Sequence, residues 1–158
     1  MVIYPHGNIE TIADDVFMVR GSIKLNPVLR ISRNMGIVRQ GNELTLINPI
    51  RLNTSVEASL KELGEITNIM GLGCFHGLDD AYYADHFKSK SWCQPGGKTY
   101  TEPTIDVEIN ATSPLPIDGA ELFEFKGIPQ PECALLLKRA GGILFTCDAI
   151  QHYGDYSY

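Results

Sequence analysis

Residues 133–152 read CALLLKRAGGILFTCDAIQH. Two apolar runs, CALLLK and ILFTCD, flank Arg139 to Gly142, and short apolar runs around a glycine-bearing turn predict a β-hairpin. The second run ends in Cys147 and Asp148, with His152 four residues beyond the aspartate. Ligand-capable groups at the tip of an apolar strand occupy a common address for chemistry. Lys138 and Arg139 interrupt the stretch, so it is not read as a membrane span.

A second tip of the same kind lies upstream. EITNIMGLG (65–73) reads as a buried strand ending in glycines, and CFHGLDD (74–80) follows it with Cys74, His76, Asp79 and Asp80. If the two strands share an edge, their tips converge. Before this segment, NTSVEASLKELG (53–64) predicts a helix: Thr54 and Glu57 have capping-box spacing, Val56, Leu60 and Leu63 share a face, and Gly64 is the stop. DVFMVRGSI, NMGIVRQ and ELTLINP read as three earlier strands, the last two joined by a tight Gly41-Asn42 turn. LDDAYYADHFK (78–88) predicts a short helix, on which Asp79 and Asp80 are helix-start acids and His86 a surface residue. Residues 93–116 form an extended connection holding the strand DVEIN, and ELFEFKG (121–127) alternates as a half-buried strand does. The order predicts a mixed α/β fold of the layered α+β type, with residues 1–158 as a single domain.

Composition narrows the function classes. Of 158 residues 44% are apolar and 20% charged, which excludes a disordered chain, and fifteen glycines with nine prolines favour sheet and turns over a helix bundle. The net charge is −6, yet residues 20–51 hold six bases against the single acid Glu43. That segment is read as solvent-facing arginines on strands, with an anion-binding patch as the alternative. With no finger, RNP or helix-turn-helix signature, nucleic acid is not an expected partner, and neither is a membrane. MVIYPHGNIE lacks the pattern of a signal peptide, so a cytoplasmic protein is expected. Its four cysteines, without CxxC spacing, are read as thiols. Gly71-Leu72-Gly73 lacks the lysine and third glycine of a phosphate loop. Cys74 and His76 alternate on an extended segment and point to opposite faces, which disfavours a thiol–imidazole nucleophile.

Taken together, the strand meander, LTLINP hairpin, capped helix, strand with a histidine loop and final CALLLKRAGGILFTCDAIQH resemble the metallo-β-lactamase superfamily over about residues 10–152. The resemblance implies a four-layered αββα sandwich, incomplete at its C-terminus, with metal at one edge between the two sheets. The family has Gly-Asp with a metal-bridging aspartate after its last hairpin, and ILFTCDA places Asp148 there, with Cys147 read as a small buried replacement for the glycine. Of the family's H-x-H-x-D-H motif, Cys74-Phe75-His76-Gly77-Leu78-Asp79 keeps the second histidine. The third metal histidine is absent near Gly127-Ile128-Pro129, and Asn48 stands where the family has an aspartate.

Two functions are therefore expected in parallel. The first is a metal-dependent hydrolase of unknown small-molecule substrate, holding at most one zinc, iron or manganese ion through His76, Asp148 and His152, with His76 and Asp80 as catalytic groups. In it, a metal-activated water attacks an ester, thioester, amide or phosphoester. The second is a binding or assembly module that has kept the fold and lost the metal site. In both, Tyr153, Tyr156 and Tyr158 and an uncovered sheet face point to packing against a second copy, a homo-oligomer.

Overall fold

A computed structural model of the chain describes residues 2–150. The elements in chain order are β1 (His6–Ala13), β2 (Val16–Lys24), β3 (Arg30–Ser32), β4 (Met35–Gln40), β5 (Glu43–Ile47), α1 (Thr54–Leu63), β6 (Glu65–Gly71), α2 (Asp80–Phe87), β7 (Lys90–Cys93), β8 (Val107–Glu108), β9 (Ala120–Glu124), β10 (Cys133–Leu137) and β11 (Ile143–Phe145). One sheet runs β1-β2-β4-β5-β6-β7-β8, with β3 paired to β2, and a second, antiparallel sheet runs β11-β10-β9. β5 to β8 are parallel, so their C-terminal ends lie along one edge.

Alternation along the strands of the large sheet divides the core in two. Ile37, Leu44, Leu46 and Ile69 pack with Val56 and Leu60 of α1 and Tyr83 of α2. Val38, Ile47, Met70 and Leu72 face the small sheet and meet Leu122, Leu135 and Leu137. Among the described residues this gives three layers, helices, large sheet and small sheet. The outer face of the small sheet is open there, with Phe123 62% and Leu144 53% exposed. No helix of the described residues is long and apolar enough to cross a membrane.

The α1 cap differs from the sequence expectation by one residue. Asn53, in extended conformation, takes the N-cap position and its Oδ1 accepts from Val56 N at 3.0 Å. Glu57 is thereby released from capping. Its carboxylate instead accepts from the Tyr82 hydroxyl and pairs with Arg51 and Lys61. Gly64 is required by contact, because a Cβ there would stand 2.5 Å from the carbonyl oxygen of Asn42.

The two sheets are tied together at the C-terminal edge. Cys133 N donates to Leu72 O at 2.8 Å, and Gly73 bridges Glu132. Asn48 completes the tie. Its Oδ1 accepts from Leu72 N at 2.9 Å and its Nδ2 donates to Thr146 O at 3.3 Å, so one side chain links the end of β6 to the residue after β11. Asn48 reaches both partners from a left-handed backbone, φ 49°, a conformation asparagine tolerates better than most residues.

Candidate metal centre

β6 carries the chain to the tied edge, and a single 3-10 turn, Cys74–His76, places the imidazole of His76 over the gap between the sheets. From the other side, β11 delivers Cys147 and Asp148. The three donors, an imidazole nitrogen, a thiol sulfur and a carboxylate oxygen, all lie within 4.8 Å of one another. His76 Nε2 is 3.5 Å from Asp148 Oδ1. That approach needs Gly73: a Cβ there would lie 2.6 Å from Cys147 Sγ and 3.3 Å from Glu132 Cγ.

The electrostatics of the cluster follow from this geometry. The hydrogen bond from His76 holds the Asp148 carboxyl below its ordinary range, and Asp148, with its side chain 39% exposed, opens the cluster on one side. Burial pushes the Cys147 thiol up, reinforced by the carboxylates of Asp148 and Glu132. Glu132 is raised by burial as well, while its Oε1 accepts from Ala149 N at 2.6 Å.

These residues fit one divalent cation. His N, Cys S and Asp O are all zinc ligand types, and three protein donors with one side open match the ligand number of catalytic zinc sites, whose tetrahedral ligand atoms stand about 3.3–3.7 Å apart. The three donors here, all within 4.8 Å of one another, would have to draw together to reach that separation. Binding requires the thiolate, and the cation would itself reverse the upward shift that burial imposes on Cys147.

Sequence comparison alone finds nothing: the chain matches no protein-family model and no curated protein sequence. Comparison of structures does. The chain is similar to the DIM-1 metallo-β-lactamase exposed to ceftazidime, with a TM-score of 0.70 and 15% identity over 92% of this chain and 71% of that one. It has the metallo-β-lactamase fold. An NDM/FIM-1-like metallo-β-lactamase from Erythrobacter litoralis in its mono-zinc form gives a TM-score of 0.64 at 14% identity, over 99% of this chain and 75% of that one. FIM-1 from Pseudomonas aeruginosa, also in its mono-zinc form, gives 0.60 at 10%, over 85% of this chain and 64% of that one.

Within this metallo-β-lactamase fold, the expected pair His76 and Asp148 is brought together, whereas His152 and the three terminal tyrosines lie outside the described residues. Asp80 sits in the first turn of α2, 6% exposed, beneath the His76 turn and apart from the three donors. Burial raises its carboxyl to about 7, against the opposing effect of Lys98 and Arg33. Asp79 stands at the N-cap of α2, at the helix start as expected, but its carboxylate is used elsewhere. It makes no capping bond; its Oδ2 accepts from Arg33 at 2.5 Å and from Arg51 N at 3.0 Å, in a fully buried position. Arg33, in the link between β3 and β4, is accordingly buried too, not solvent-facing as the sequence reading of this segment expects. His86 is exposed on α2 as expected, stacked on Tyr82.

Cys147 was not expected as a donor. The signal was its place next to Asp148 at a strand tip, but a thiol in that position is equally consistent with packing, and only the approach of Gly73 shows which way Sγ faces. Glu132 was missed for the same kind of reason: it comes from the residue just before β10, across the sheet tie, in the region where the family's histidine is absent.

Proposed function

We propose that this chain is a metal-dependent hydrolase holding one divalent cation between His76, Cys147 and Asp148. The observation that supports it is the convergence of these three donors at the open C-terminal edge, from loops 72 residues apart in the chain. The thiol favours zinc over manganese, since soft sulfur ligands select it. A cation bound there lowers the pKa of a water and polarises an acyl or phosphoryl oxygen, chemistry that fits ester, thioester, amide or phosphoester substrates. In this reading the chain's own residues do the rest. His76 and Asp148 fix the cation from opposite sheets, and the exposed flank of Asp148 admits substrate. Glu132 stands beside both, with Oε1 held by Ala149 and Oε2 left to take a proton. Asp80 acts from below and does not touch substrate.

The test is metal content per chain, by inductively coupled plasma mass spectrometry, of protein purified without an affinity tag or added metal. About one equivalent of zinc, lost in His76→Ala, Cys147→Ala and Asp148→Ala, is the expected result. No metal, even after incubation with zinc or manganese, overturns the proposal. The engagement of Asp79 with Arg33 and Arg51, within the stretch that matches the family's metal motif, favours the second reading, a module that kept the fold without the chemistry. That reading expects EDTA to leave the melting temperature unchanged.

A further inference from the structure

β2 does not stop where its partner strand β4 begins. Val19 pairs with Met35 at the start of β4, and β2 runs on to Lys24, carrying the β2–β3 hairpin past the edge at which β5 and β6 end. The connection Leu25–Leu29, LNPVL, is the tip of that hairpin, a place where turns ordinarily carry polar residues. Val28 is 96% exposed, and Leu25, Leu29 and Ile31 are exposed with it. Val2 and Ile3, also exposed, lead into the same corner, since Pro5 O accepts from Ser22 N at 3.0 Å. Exposed aliphatic residues from two segments of the chain thus gather at one corner, a pattern that marks an interaction surface.

The tip can leave water at little cost. Leu25 N donates to Leu29 O at 3.0 Å, and Asn26 N donates to the same oxygen at 3.5 Å. Asn26 Oδ1 accepts from Val28 N at 2.9 Å and from Leu29 N at 2.8 Å. Pro27 has no N–H, so the backbone donors of residues 25–29 are satisfied within the tip itself. An apolar phase offers an unpaired donor no replacement for water, and here none is required. Charge indicates which apolar phase. Between Asp15 and Glu43 the chain has no acid, and Lys24 and Arg30 pair across the hairpin at the base of the tip. Among the described residues neither has a carboxylate partner; Arg30 bonds the Ser22 hydroxyl at 3.2 Å. The other arginines nearby are engaged, Arg20 with Glu10, Arg33 with Asp79 and Arg51 with Glu57. An aliphatic tip flanked by two uncompensated cations is complementary to a bilayer with anionic headgroups. It suits a second copy of the chain poorly. A stable interface takes about 20–30 residues a side, whereas the tip offers five, and a symmetric contact would set Lys24 and Arg30 against their like.

We propose that the β2–β3 hairpin docks on an anionic lipid bilayer, with Leu25, Val28 and Leu29 in the interface and Lys24 and Arg30 against the headgroups. The sequence expectation of no membrane partner follows from the lack of a spanning segment, and a peripheral contact needs none. Because the whole chain carries −6, attraction to an anionic surface is local to this corner and fixes the orientation of docking. The contact does not depend on the metal reading.

The test is co-sedimentation of the full chain, at low salt, with vesicles of phosphatidylcholine alone and of phosphatidylcholine with phosphatidylglycerol in equal parts. Binding is expected to the mixed vesicles only, and to weaken as added salt screens the headgroups. Lys24→Gln and Arg30→Gln are each expected to weaken it about fivefold, and Val28→Asp about tenfold or more. Lys138→Gln, at the opposite edge of the sandwich, is expected to change nothing. All four side chains are exposed, so an unchanged melting temperature shows that each variant is folded. The proposal is overturned by no binding to the mixed vesicles, by equal binding to both kinds, or by binding that survives the three hairpin substitutions. It is overturned too if, without vesicles, sedimentation velocity finds a wild-type dimer that Val28→Asp turns into a monomer, since the corner is then an interface between copies. None of these readouts involves a metal, so failure here and failure of the metal reading are separate results.

Discussion

At the scale of single residues, Asn48 and Asp80 have the sharpest consequences. Asn48 satisfies a buried amide, Leu72 N, that would otherwise lack a partner. Asn48→Ala removes this bond and the one to Thr146, and is expected to cost about 1–3 kcal/mol in chemical denaturation for the stranded amide alone. Asn48→Gly relieves the left-handed backbone but loses the same bonds, so it should fall between the alanine variant and the wild type. A glycine variant as stable as the wild type would show that the site needs only the backbone conformation. For Asp80 the effect depends on pH. Its folded pKa, about 7, stands above the ordinary value of 3.8, so between those limits the folded chain holds more protons than the unfolded one. The contribution of Asp80 to stability is therefore largest at low pH and is lost as pH rises through this window, by about 4 kcal/mol at most. Relative to wild type, Asp80→Asn should gain stability progressively from pH 4 to 7 and level off above it. A difference flat across that range would place the carboxyl in an ordinary environment.

At the scale of elements, the approach of the β6 tip to the β11 tip is set by a missing side chain. Gly73→Ala forces Cys147 aside and is expected to lower both thermal stability and zinc uptake, by 1–3 kcal/mol in the first case. Its backbone is extended, so the penalty is contact rather than conformation. Cys147→Gly in the same chain should restore the stability without restoring the metal. Failure of that double variant to recover would mean that Glu132 Cγ, not the cysteine, is the obstacle. The elements that build this edge were unequally legible. β5, β6, α1 and the β10–β11 hairpin carry enough periodic apolar residues and turn signals for the sequence to reveal them. β1, HGNIETIA, is an edge strand with little buried surface and no clean alternation. β7, KSWC, has four residues, and its burial comes from neighbours on both sides that the sequence places far away. The same distinction separates the site residues. His76 and Asp148 were readable because each ends an apolar strand. The partnership of Arg33 with Asp79 was not, since a salt bridge across 46 positions leaves no local trace.

At the scale of the whole molecule, the three donors come from two different sheets, so a bound cation would cross-link the sandwich and not merely stiffen a loop. The expected signature is global. Zinc at a thousandfold excess over its dissociation constant should add about 4 kcal/mol to unfolding, shifting a single cooperative transition upward. Two transitions, only one of which responds to zinc, would show that the sheets unfold separately and that the centre lies within one of them.

The Asn48 tie also has a meaning in time. Thr146 lies 98 residues after Asn48, so at about 5–20 residues per second a ribosome takes roughly 5–20 s to supply the second partner of that amide. Within that interval, from residue 70 until residue 120, Val16, Val38, Ile47 and Met70 have been synthesised but the strands that cover them, β9, β10 and β11, have not. The emerging chain is then a half-built sheet with a bare apolar face, a species that chaperones hold and that crowded nascent chains aggregate through. Overexpression at reduced temperature, or with a holdase supplied, should thus raise the yield of this protein before any change is made to its sequence.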